Sequence, residues 1–113
     1  MKTVTIGVTS LEGAEQRLAD AFKGNRHGAR ISFASDELLW KALTSKRWAL
    51  LRAMAGQGTL GIREIARRLG RDPRAVHSDV HRLLKAGLLN RAEDRGVVFP
   101  DDEIHVDFAL KAA

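Results

Sequence analysis

Two short helical patterns meet at Gly70-Arg71-Asp72-Pro73, and no other stretch narrows the folds open to this chain as much. Before the junction, Ile62, Ile65, Ala66 and Leu69 fall at i, i+3, i+4 and i+7, one apolar stripe of a helix, with Arg63, Glu64, Arg67 and Arg68 outside it. Gly70 follows the last apolar residue, where a residue without a Cβ adopts a left-handed C-cap most easily. Asp72 can accept a hydrogen bond from the free amides of a new first turn, and Pro73 at the first helical position loses nothing by lacking an N–H. In the second helix Val76, Val80, Leu83 and Leu84 form the core side at i, i+4, i+7 and i+8. Arg74, Ser78, His81, Arg82 and Lys85 project from the opposite side, and Gly87 ends the helix. This is the pattern of a helix-turn-helix, whose second helix is the one that enters a DNA major groove.

The flanking segments extend the pattern. Leu88-Leu89-Asn90-Arg91, the turn formers Ala92 to Gly96, and Val97-Val98-Phe99 before Pro100 read as a hairpin. Upstream, Thr44 or Ser45 can cap a helix carrying Trp48, Leu51, Met54 and Ala55, ended by Gly56-Gln57-Gly58. Three helices and a hairpin predict a winged helix over residues 44–100. Residues 1–43 are less regular: Val4, Ile6 and Val8 alternate as a one-sided strand, and Leu11, Leu18, Ala21 and Phe22 suggest an amphipathic helix capped by Ser10 and weakened by Gly13. Lys23 to Arg30 reads as a glycine-rich basic loop, Ile31 and Phe33 as a second strand, and Ser35-Asp36 as the start of a short helix through Leu38, Leu39, Trp40 and Leu43. Within residues 101–113, Ile104, Val106 and Phe108 alternate again. The expected fold class is therefore mainly α with a small β content. It is a winged helix-turn-helix with additional N- and C-terminal strands, the two ends forming a dimerisation or partner-binding element because isolated strands lack a covering surface.

Charge agrees with a polyanionic partner. The 113 residues carry a formal net charge of +5, and a basic balance favours nucleic acid. Residues 61–96 hold nine Lys or Arg against five Asp or Glu, whereas residues 97–113 hold one against four, so the positive charge sits partly on the helix-turn-helix stretch. The absence of cysteine excludes disulfides, thiol nucleophiles and Cys-ligated zinc. No apolar run approaches the ~20 residues that span a bilayer, and the stretch from Met1 to Val4 is too short an apolar core for a signal peptide, so the expectation is a cytoplasmic protein.

The candidate DNA contacts are Arg71, Arg74, Ala75, Ser78, His81, Arg82 and Lys85, with Arg91 and Arg95 on the hairpin. Arg74 and Ser78, near the helix N-terminus, are placed for base edges, and Arg82 and Lys85 for phosphates. The same face also reads as a plain solvated helix side, and Glu93 and Asp94 make the hairpin tip an ordinary polar turn as much as a DNA contact. Asp79 would oppose DNA, and is expected at the flank with Arg82 at i+3 neutralising it. His77 and His81 have the i, i+4 spacing of two metal ligands, but the zincin glutamate and a third ligand are missing. Trp40 and Trp48 lie in apolar helical patterns and are expected in the core. There is no nucleophile elbow, P-loop or dinucleotide fingerprint, so neither an enzyme nor a cofactor is expected.

The run Leu43 to Leu51, the helix Ile62 to Arg71 and the terminal Asp102 to Phe108 resemble the winged-helix DNA-binding regulators related to MarR, some of which are similar to antitoxins encoded beside a small toxin. The resemblance covers roughly the last two-thirds of the chain. It implies a homodimer on double-stranded DNA, acting as a repressor, and for the antitoxin-like group a cognate toxin held by the terminal strands. Arg71 departs from the apolar residue that many such motifs carry just after the turn glycine, which implies a longer turn. The rival reading is a winged helix that serves as a protein-interaction module without specific DNA binding, distinguished by the salt dependence of DNA affinity.

Overall fold

The computed structural model describes residues 2–8 and 29–107. Their elements are β1 (Thr3–Val8), β2 (Ala29–Phe33), α1 (Asp36–Ala42), α2 (Ser45–Met54), α3 (Ile62–Leu69), α4 (Pro73–Ala86), β3 (Asn90–Arg91), a 3-10 turn at Glu93–Arg95, β4 (Val97–Val98) and β5 (Glu103–Asp107). The helix expected from Leu11 to Phe22, the loop residues Lys23 to Gly28, and Phe108 lie outside the described residues, while Ala29 and Arg30, expected in the loop, open β2.

Local chemistry sets the helix ends. The Ser35 hydroxyl accepts from the Leu38 amide at 3.2 Å to start α1, and Thr44 accepts from Arg47 at 3.3 Å to start α2. Asp72 accepts from Arg74 at 2.8 Å, with Pro73 in the first turn of α4. Each cap satisfies an amide that has no partner within its helix. Gly70 (φ 63°) and Gly87 (φ 85°) close α3 and α4 in the left-handed region, as the sequence pattern anticipates.

The terminal strands do what local patterning does not announce. β1 lies in the middle of a three-stranded sheet ordered β2-β1-β5, and both pairings are parallel. Ile6 stands opposite Ile31 on one side and Val106 on the other, and Val4 opposite Ile104. Val4 and Ile6 are fully buried, while Ile31, Phe33 and Ile104 pack against the core from the flanks. The three one-sided strands thus supply each other's partners, and helices cover their apolar side. A second, antiparallel pair joins β3 and β4, tied to the segment before α3 by reciprocal hydrogen bonds between Leu60 and Val97 at 2.9 Å.

The architecture is therefore α/β, with four helices and five strands among the described residues. It overturns the mainly-α winged helix that the sequence suggests. The reason is the parallel pairing: parallel neighbours require long connections, so no turn signal next to β1 or β5 marks them as one sheet.

Among the described residues, an apolar cluster runs through helices and sheet alike. It joins Val4 and Ile6 of the sheet to Leu39 and Leu43 around α1, Leu50, Leu51 and Met54 of α2, Ile65 and Ala66 of α3, and Val76, Val80 and Leu83 of α4, and ends at Leu88, Leu89, Val97 and Phe99. Trp48 packs against this cluster. Trp40 departs from its expected core position and is 46% exposed, because the buried positions are Leu39 of α1 and Leu43 at its C-cap, four residues apart, and Trp40 falls beside that stripe. Among the described residues, no helix is long and apolar enough to cross a membrane.

Candidate nucleic-acid interface

α3 and α4 are held at a tight three-residue junction. The Arg71 amide donates to the Ala66 carbonyl at 3.0 Å and the Gly70 amide to Arg67 at 3.3 Å, so the end of α3 is satisfied before Asp72 opens α4. Ile65 and Ala66 on α3 and Val76 and Val80 on α4 are buried, which fixes the side of α4 turned inward. Arg74, Ala75, Ser78, His81, Arg82 and Lys85 are all exposed. From Arg74 to Lys85 this stripe runs roughly 16 Å along the helix, at 1.5 Å per residue.

Asp79, the one acidic residue of α4, points away from that stripe into a buried ion-pair network. Its Oδ1 accepts from Arg47 Nε at 3.0 Å and its Oδ2 from Arg71 Nη2 at 2.7 Å. The three side chains are only 13–19% exposed. Burial pushes the Asp79 carboxyl up, but the hydrogen bonds and charges of Arg71 and Arg47 outweigh it and hold the group below its ordinary range. Arg47 continues the network, donating from Nη1 to the Lys41 and Ala42 carbonyls at 2.8 and 3.0 Å. One carboxylate thus locks α4 to the junction before it and to the end of α1.

Two expectations change with this network. Arg82 is not the partner of Asp79; two arginines from other elements are. Arg71, counted among the candidate DNA contacts, is turned inward. Its position after the turn glycine puts the guanidinium over the first half of α4, eight residues from the carboxylate it pairs with. Arg47 is the member that sequence reasoning missed, because it lies 32 residues from Asp79 and no local spacing links them.

The cations of the two helices differ in availability. On α3, Arg67 and Arg68 both donate to Glu64, whose carboxyl is lowered to about 2 by those hydrogen bonds, and Arg68 also reaches Gln57 at 3.0 Å. On α4, Arg74, Arg82 and Lys85 make no side-chain ion pair among the described residues. His77 and His81 stack on each other with ring centroids 5.0 Å apart, and among the described residues no group of three His, Cys, Asp or Glu stands ready for a metal.

Arg91 and Arg95 are exposed on the hairpin, away from the α4 stripe in sequence but tied to α3 through the Leu60–Val97 bridge. Asp94 (φ 56°) and Arg95 (φ 61°) both occupy the left-handed region, an uncommon conformation for side-chain-bearing residues. The tip is tight because Gly96 is buried against Thr59, where a Cβ would collide with the threonine methyl.

The HVO_A0114 family model matches residues 42–106, more than half of the chain. The chain belongs to the HVO_A0114 family. The match takes in α2, α3, α4 and the hairpin, and with them Arg47, Arg71, Asp79 and the exposed stripe; β1, β2 and nearly all of α1 precede it. No curated protein and no solved structure matches this HVO_A0114 member.

Proposed function

We propose that the chain is a sequence-specific DNA-binding transcriptional regulator, a repressor in the cytoplasm, that seats α4 in a major groove. The supporting observation is the unpaired cationic stripe of α4, on a helix whose only carboxylate is neutralised from behind by Arg47 and Arg71. A duplex approaching this face meets Arg74, Arg82 and Lys85, which make no side-chain ion pair among the described residues, and a cationic helix face of this kind suits groove entry. Arg74 and Ser78 read base edges, Ala75 allows close approach between them, and His81, Arg82 and Lys85 hold the flanking backbone. Arg91 and Arg95 meet phosphates beside it. Two copies about one helical turn apart, roughly 34 Å, would read a pseudo-palindrome.

Selection from a randomised duplex library tests the reading. The expected result is an enriched motif with two-fold symmetry. A pool indistinguishable from the input after repeated rounds contradicts it and leaves the basic face to a protein partner.

A further inference from the structure

A cleft of about 460 Å³ lies between α1 and α4. Lys41 lines it from the last turn of α1, and Arg82 and Lys85 from the second half of α4. Leu38, Ala42 and Ala86 supply apolar surface between the cations, and no carboxylate is among the lining residues. We infer that this cleft is a seat for the DNA sugar-phosphate backbone, in which Lys41 is a phosphate contact contributed from outside the helix pair. The inference rests on the DNA-binding reading of α4 and extends it to a second element.

Three observations lead there. Arg82 and Lys85 belong both to the exposed stripe and to the wall of the cleft, so the backbone of a duplex lying along α4 reaches the mouth of the cleft without turning. The lining combines four side-chain cations with the apolar surface of Leu38, Ala42 and Ala86, which suits a phosphodiester carrying its deoxyribose better than a compact inorganic ion. The spacing of the walls is also set in advance. Arg47, the fourth cation at the cleft, is held by the Lys41 and Ala42 carbonyls and by Asp79, so it braces α1 against α4 and leaves the other three to an incoming anion. Lys41 stands immediately before the family-matched span, which makes this contact a property of the chain beyond that shared segment.

The test uses the full chain and its Lys41→Ala, Lys41→Arg and Arg74→Ala variants, with fluorescence anisotropy on a library-selected duplex and a scrambled one over a salt series. Lys41→Ala is expected to weaken binding several-fold, equally on both duplexes, and to reduce the salt slope by about one. Lys41→Arg should restore both. Because the Lys41 backbone carbonyl, not its side chain, holds Arg47, the variant keeps the fold, and an unchanged thermal melt checks this. Unchanged affinity and slope in Lys41→Ala, with sequence preference still lost in Arg74→Ala, overturns the cleft while the α4 reading stands. Failure of the wild-type chain to bind any duplex overturns both. Binding of poly-glutamate that Lys41→Ala abolishes, with DNA affinity unaltered, assigns the cleft to an acidic protein partner and also overturns the inference.

Discussion

The α3–α4 pair and the β2-β1-β5 sheet share one apolar core but are put together by opposite means. The helix pair is built from neighbours: the Gly70 C-cap, the Asp72 N-cap and the Pro73 start lie within four residues. The sheet is built across the chain, and even the hydrogen bond at the start of the β1–β5 pair, from the Lys2 amide to Asp102 at 3.0 Å, joins residues 100 positions apart. On the sheet face opposite Val4 and Ile6, Gly7 is closely enclosed by Arg30 and the β5 backbone. The helix pair buries one side in the core, and the outer side of α4 carries Arg74, Arg82 and Lys85, which make no side-chain ion pair among the described residues. Substitutions in the sheet should therefore change stability alone, whereas those on the outer face of α4 should change binding alone.

The largest expected effect falls on the network that ties α4 to the junction before it and to the end of α1. Asp79→Ala leaves Arg47 and Arg71 mostly buried without a counter-charge and should destabilise the protein by about 3 kcal/mol in urea unfolding. Asp79→Asn isolates the charge. Because the folded Asp79 carboxyl titrates below its ordinary value of 3.8, its stabilisation is present above that value and is lost as pH falls through the lower folded one. The wild type should lose more stability than Asp79→Asn in acid below about pH 4. Equal acid sensitivity in the two proteins would remove the carboxylate from its role as a lock.

Next comes the sheet. A Cβ on Gly7 would sit 2.7 Å from the Asp107 carbonyl oxygen and 2.7 Å from Arg30 Nη2, so Gly7→Ala must push β5 away and should cost about 1–3 kcal/mol. Base preference should not change, and a change would mean that the two regions are coupled more tightly than their shared core implies. Arg74→Ala is the mirror case. It should forfeit about 1–3 kcal/mol of discrimination between cognate and scrambled DNA if the contact is bidentate to guanine. Its thermal stability should stay within about 0.5 kcal/mol of wild type, since the side chain is exposed. The smallest effect is expected at the hairpin tip, where Arg95→Gly relieves a left-handed φ of 61° and should stabilise the fold by up to about 1 kcal/mol, with a slight uniform loss of DNA affinity.

The contrast between regions also explains what was legible in the sequence. The stripes of α3 and α4, both glycine caps, the Asp72 cap and the hairpin are all short-range consequences of side-chain chemistry, and each stands where its pattern puts it. The strands over Val4 to Val8, Ile31 to Phe33 and Ile104 to Val106 were readable singly. Their union in one parallel sheet was not, because alternation tells which face of a strand is apolar and nothing about which strand it meets. The same limit hid the site's wiring. Five of the exposed α4 residues followed from helical periodicity, but the inward turn of Arg71 and the reach of Arg47 to Asp79 depend on how α1, α2 and α4 pack. Trp40 shows the converse, an apolar residue whose helix keeps other positions for the core.

Anisotropy of the purified chain on a library-selected duplex and its scrambled counterpart across a salt series tests the role of the outer face of α4 most directly. Tight binding to the selected duplex, weaker binding to the scrambled one, a steep loss of both with salt and collapse of the difference in Arg74→Ala are the expected results. Equal, weak affinity for both duplexes with no effect of Arg74→Ala would contradict it.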